Sequence, residues 1–186
     1  MTVYALSRKH EGIADCIITQ VDITNIFTNE IVNTLGIWDT GATNSVITKS
    51  TAAKLGLKPI EKANARGVHG VKEVNVYYVN ITLNNKSITL NAKVTECEEL
   101  SVDNGIGMLI GMNIITMGDF SITNFHGETR MTFRVPSIEC IDYVEEIEDC
   151  NKFFKIHEVW KKKGIGKCPC NSGKKYENCH GKKYTE

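Results

Sequence analysis

No stretch of the 186 residues approaches the roughly twenty consecutive apolar residues of a membrane-spanning helix, so a helix-anchored architecture is excluded. The opening residues, Met1 to His10, also lack the apolar core of a secretory leader, and the expectation is a soluble, cytoplasmic chain without a membrane partner. An even cysteine count is missing too. There are seven, and three of them cluster near the end at metal-ligand spacing, which favours a reducing compartment over a disulfide framework. Net charge is +0, yet the balance is uneven. Ten of the 22 Lys and Arg but only three of the 22 Asp and Glu fall in residues 151–186, so this tail carries +7 and the body −7. Such asymmetry suits a tail that meets an anionic partner or docks on the body. What remains is a chain with 41% hydrophobic residues, enough for one domain with a real core and an appendage.

The most informative stretch is Leu35-Gly36-Ile37-Trp38-Asp39-Thr40-Gly41-Ala42-Thr43-Asn44-Ser45-Val46-Ile47. Apolar chain leads into Asp-Thr-Gly and resumes after it, as expected of a strand that delivers one carboxylate into a tight turn. A second stretch, Met108-Leu109-Ile110-Gly111-Met112-Asn113-Ile114-Ile115, reads as an apolar strand followed by Gly-x-Asn opening a short apolar helix, with another strand from Phe120. Together these resemble the active-site loop and closing element of the retropepsin-like aspartic proteases, over residues 13 to 135. The resemblance implies a mainly β, closed-barrel acid-protease half with one or two short helices. It implies catalytic roles for Asp39, Thr40 and Gly41. Ala42 stands where many pepsin-like loops carry Ser, so a hydroxyl donor to the carboxylate is missing and the expected pH window moves toward neutral. Met112 stands where viral members often carry Arg, so an ion pair across their dimer has no counterpart.

Elsewhere the pattern fills in this outline. Ile13 to Ile23 is rich in β-branched residues and predicts a strand, with Cys16 assigned to core packing; another begins at Asn29 to Asn33. Ser50 to Gly56 predicts a short helix capped by Ser50, stopped for good by Pro59. Gly67-Val68-His69-Gly70 marks a hairpin tip whose position resembles the family's flap, which closes over bound peptide. The apolar phase changes between Val74/Val76 and Tyr77/Val79/Ile81/Leu83, which predicts a bulge or a strand passing between layers. Ile88 to Val94 alternates as a half-buried strand, and residues 127 to 135 give the last strand of the domain. Asp103-Asn104-Gly105 lacks an apolar approach and is not a second active-site loop.

After Pro136 the composition turns acidic, and Phe153, Phe154, Ile156, Val159 and Trp160 then recur at helical spacing. The expected layout is a protease-like domain over 1–136, a helical linker over 137–163 and a zinc module over 164–186. In that module Cys168, Cys170, Cys179 and His180 place three thiolates and an imidazole where a short loop converges them on zinc. The spacing closely resembles the SEC-C motif. Four ligands leave no open position, so the zinc is expected to be structural, and no cofactor is expected for catalysis.

Aspartic protease chemistry requires two facing carboxylates, and the chain carries one Asp-Thr-Gly. The expectation is therefore a homodimeric endopeptidase acting on peptide or protein substrates, its basic tail recruiting an anionic partner such as ribosome or chaperone. The competing reading is a non-catalytic dimeric adaptor that uses the protease fold as scaffold. Nucleic-acid binding rests on charge alone, since the tail has few aromatics to stack on bases.

Overall fold

A computed structural model describes residues 2–67, 70–100, 105–144, 147–148, 151, 167–168 and 172–179. Of the helical linker expected over 137–163, residues 145–146, 149–150 and 152–163 lie outside them. The chain divides into two compact units, Met1–Glu139 and Cys140–Glu186. Among the described residues no helix is long and apolar enough to cross a membrane.

Among the described residues the first unit holds ten strands, two short α-helices and a 3-10 turn at Phe125–Gly127: β1 (Tyr4–Lys9), β2 (Ile17–Asn25), β3 (Ile31–Trp38), β4 (Val46–Thr48), α1 (Lys49–Lys54), β5 (Glu61–Gly67), β6 (Gly70–Leu83), β7 (Thr89–Cys97), β8 (Ile106–Ile110), α2 (Met112–Ile115), β9 (Asp119–Thr123) and β10 (Arg130–Val135). Six strands in the order β2-β3-β8-β4-β7-β6 close on themselves, because β6 also pairs with β2. Closure leaves no open edge within this barrel. Its interior is filled by β-branched and long apolar side chains, among them Val21, Ile23, Ile47, Ile81, Met108 and Ile110, all fully buried. Each such side chain contributes about 1.5–3 kcal/mol of transfer free energy.

β6 explains the change of phase in the sequence. Its first half pairs with β5 in a hairpin, and its second half enters the barrel between β7 and β2. The ladder with β7 runs from Val76 to Thr82 without a register shift, so the strand changes environment and no bulge is needed. On β2 the inward positions are the odd ones, Ile17, Thr19, Val21, Ile23 and Asn25. Cys16 falls out of that phase and is exposed, which corrects its assignment to the core. α1 begins at Lys49, earlier than expected, because Thr48 at the extended end of β4 is the cap: its hydroxyl accepts from the Thr51 N–H at 3.3 Å.

A second, three-stranded antiparallel sheet has the order β1-β10-β9. β1 was not foreseen from the sequence, where its alternation is short and mostly polar. Asp119, at the start of β9, gathers what leaves this sheet. It accepts from Arg134 Nε at 2.9 Å and Nη2 at 2.5 Å, from the Ile138 N–H at 3.0 Å, and from the Ser137 hydroxyl. These donors, with Ser137 the largest influence and then Ile138 and Arg134, hold its carboxyl down from 3.8 to about 2. A carboxyl depressed in the folded state stabilises it above the unfolded value, and that contribution is lost as pH falls through the folded one. The unfolding midpoint of the wild type should therefore drop between pH 3.8 and about 2 more steeply than that of Asp119→Asn. Parallel curves for the two proteins across that window would contradict the role of the clamp.

Candidate active site

Asp39 follows the last residue of β3, and its position is fixed from both sides. Before it, Trp38 is buried, donates from Nε1 to the Thr19 hydroxyl at 2.9 Å, stacks on Phe120 with centroids 5.3 Å apart, and meets Phe133 edge-on at 5.1 Å. A buried indole N–H without a partner would be costly, so the Trp38–Thr19 bond also selects this rotamer. After it, the chain turns at once. The Asp39 N–H donates to the Ile110 carbonyl at 2.9 Å, continuing the parallel pairing of β3 with β8. The Ala42 N–H returns to the Asp39 carbonyl at 3.3 Å, and the Gly41 N–H donates to Asp39 Oδ1 at 2.8 Å. A Cβ at position 41 would lie only 3.1 Å from that oxygen, which is why glycine suits the turn. Asp39 is half-buried, while Thr40 and Gly41 are exposed at the tip.

The far side of the loop is held by α2. Met112 and Asn113 N–H groups donate to the carbonyls of Ala42 and Thr43 at 2.8 and 3.1 Å. The Asn113 side chain accepts from both the N–H and the hydroxyl of Ser45, at 2.8 and 2.7 Å, and donates to the Lys93 carbonyl at 3.1 Å. Ser45, fully buried, accepts in turn from the Gly111 N–H at 2.9 Å. Loop, helix and β7 are thus joined by one satisfied polar network. Asn113 was legible only as part of Gly-x-Asn; the partner role of Ser45 was not, because a serine after a turn carries no signal of its own.

Of the residues expected in the flap, Gly67 and Gly70 face each other at the end of the β5–β6 hairpin, and Val68 and His69 lie outside the described residues. A cavity of about 350 Å³ opens between this hairpin, at Ala65, Gly70 and Val74, and the end of β7 at Glu96 and Cys97. Asp39 does not line it. At its edge Tyr77 donates to Glu96, and burial, reinforced by Glu96, pushes the phenol up to about 12. Burial, with Glu99, Glu98 and Glu96 nearby, raises the Cys97 thiol to about 11. Of the expected zinc ligands, Cys168 is buried and Cys179 half-buried, and Cys170 and His180 are outside the described residues.

A closed β-barrel that carries a strand-end carboxylate in a backbone-built turn, backed by a short helix, is a retropepsin-like fold, and residues 27–114 match the aspartyl protease family. Residues 167–182 match the SEC-C motif. No curated relative matches the sequence. Among solved structures, a retropepsin-like aspartic protease from Rickettsia conorii is 15% identical, over 73% of this chain and 97% of that one, with a TM-score of 0.45. The retroviral protease-like domain of Ddi1 from Leishmania major is 22% identical over 66% and 94%, with a TM-score of 0.40. The simian foamy virus protease is 17% identical over 53% and 91%, with a TM-score of 0.39.

Gly111 is where the network is tightest. A Cβ there would lie 2.6 Å from the Asn44 carbonyl oxygen and 2.9 Å from that of Ala42, both backbone atoms of the loop. Gly111→Ala should therefore push the loop away and cost roughly 1–3 kcal/mol in denaturant unfolding, as overpacking does. A variant with wild-type stability would show that the loop yields freely.

Proposed function

We propose that the chain is a homodimeric aspartic endopeptidase whose two Asp39 carboxylates activate a water against a peptide bond. The observation that carries this reading is the loop itself: the Asp39 carboxylate is oriented by the Gly41 N–H at 2.8 Å, and its strand is fixed by Trp38 and Ile110. One chain supplies one such carboxylate, so the second comes from another copy about a two-fold axis. In the pair, the two carboxylates share one proton and hold a water between them. One takes the water's proton as its oxygen attacks the peptide carbonyl, and the other donates to the carbonyl oxygen; the first then passes its proton to the amide nitrogen while the second takes back a proton from the diol, so that the C–N bond breaks to an acid and an amine and the pair again holds one proton. Thr40, exposed at the loop tip, would lock the two loops together across the axis, and Gly41 admits the substrate backbone. The hairpin ending at Gly67 and Gly70, with Val68 and His69 between them, would close over the peptide.

The second unit fits a structural zinc module. Around Cys168 the chain folds back, with the Cys168 N–H donating to the Lys174 carbonyl at 2.7 Å and a bridge between Lys167 and Lys175. The Cys179 sulfur lies 3.4 Å from the Ser172 hydroxyl, and Tyr176 is buried. So short a segment has too little core to fold alone, and thiolates suit zinc. Cys168, Cys170, Cys179 and His180 would hold it, and a closed four-ligand site supplies folding energy and no catalysis. The basic tail would carry the enzyme to an anionic partner in the cytoplasm.

Wild-type protein should cleave members of a random peptide library, and Asp39→Asn should cleave none, because the amide can neither accept the water's proton nor share one. Equal cleavage by both would remove Asp39 from the chemistry, and cleavage by neither would favour the adaptor. Metal analysis should find one zinc per chain, lost in Cys168→Ser/Cys170→Ser. Cleavage of small peptides should survive removal of residues 164–186; its loss in a truncation that still dimerises would give the module a catalytic part.

A further inference from the structure

The cavity beside the β5–β6 hairpin holds a charge that the chemistry of Asp39 does not use. At about 350 Å³ it lies at the small end of ligand pockets, which run from about 300 to 1,000 Å³, so it has room for a side chain and not for a large cofactor. Ala65, Gly70, Val74 and Cys97 give it an apolar wall. Glu96, half-buried, lines it as well, and its carboxylate is held in place. Tyr77, 4% exposed, donates its O–H to Glu96 Oε2, and Asn75 Nδ2 donates to the same oxygen at 3.2 Å. With its phenol held up at about 12, Tyr77 keeps its proton and remains a donor. Among the described residues none donates to the other oxygen, Oε1. The lysines at the rim are engaged elsewhere. Lys49 pairs with Glu98 at 2.6 Å and Lys62 with Glu73 at 2.5 Å, each side chain more than half exposed, and the exposed Lys72 acts on Glu98. At the wall itself the Cys97 thiol is raised by burial and then by Glu99, Glu98 and Glu96, so the field there is negative.

We propose that this cavity takes the side chain of an arginine or lysine of the substrate polypeptide, with Glu96 as its carboxylate partner, and so makes the protein selective for basic residues. The proposal rests on the proposed function for its choice of occupant, since one side of the cavity is the hairpin assigned to close over a peptide. The chemistry of the lining selects the side chain. Long cationic side chains lay an apolar stem along an apolar wall and bring a charged head to an acceptor, and a hydrogen bond to a carboxylate is about twice as strong as a neutral one. Because Oε2 already accepts from two donors, Oε1 offers one further bond, which a guanidinium or an ammonium can fill. Asp39 does not line the cavity, so the basic residue sits apart from the bond that is cut. Glu96 is therefore a specificity residue and takes no part in proton transfer.

The test uses the full chain carrying Asp39→Asn, so that peptides stay intact, and fluorescein-labelled alanine-rich octapeptides with a single arginine, norleucine or glutamate moved along the sequence. In fluorescence polarisation the best arginine peptide should bind at least about tenfold tighter than its norleucine counterpart. Adding Glu96→Gln, which keeps an acceptor for Tyr77 and removes the charge, should abolish that ratio while the thermal unfolding midpoint stays that of the parent. Ala65→Leu, which fills the apolar wall and leaves Glu96 in place, should weaken the arginine peptide too, and gives a reading even if the Gln variant does not fold. Equal binding of the arginine and norleucine peptides, tighter binding of the glutamate peptide, or an arginine preference that survives both substitutions overturns the proposal. Wild type that cleaves a random library with no basic preference at any position also overturns it and leaves the protease reading standing. Arginine binding that depends on Glu96, in a protein whose wild type cleaves nothing, leaves the cavity standing and overturns the protease reading.

Discussion

The structure depends on one constraint: a carboxylate must be presented at the end of a strand without any side chain of its own loop being spent on holding it. The barrel meets this through backbone alone. β3 runs parallel to β8, so the hydrogen-bond ladder carries on one residue past the strand and fixes the Asp39 N–H to Ile110. The next turn then aims the Gly41 N–H at the carboxylate. Everything nearby serves to keep this turn rigid, which a preorganised polar site requires.

Two layers of support follow from that requirement. Behind the loop, Asn113, Ser45 and Gly111 form a network in which each polar group finds a partner, and Gly111 lets α2 approach the loop backbone closely. Beneath it, Trp38 links the loop to the second sheet through Phe120 and Phe133. The sheet that completes the core beneath Trp38 is thus also the sheet that steadies the carboxylate loop.

Much of this was legible in the residues. Apolar approach, Asp-Thr-Gly and apolar return can hardly be read otherwise, and Gly-x-Asn before Ile114 and Ile115 located the helix that braces the loop. The hairpin tip at Gly67 and Gly70 followed from two glycines between β-rich runs. Other features were hidden for physical reasons. β1 has one inward residue, Leu6, whose ladder partner Phe133 lies 127 positions later, so no local periodicity announces it. Cys16 looked like core because cysteine is usually buried, yet the two-residue period of β2 places it outward. Thr48 displaced Ser50 as the cap because the backbone leaves β4 extended at Thr48, which composition does not reveal.

The central claim is that one active site is made by two chains, each giving one Asp39. Mixing wild-type and Asp39→Asn chains at fixed total concentration, after exchange of subunits, tests it most directly. If both carboxylates are required, cleavage should fall as the square of the wild-type fraction, so that an equal mixture retains about a quarter of the activity. A linear fall, with half the activity left in the equal mixture, would mean that each chain works alone and would contradict the account.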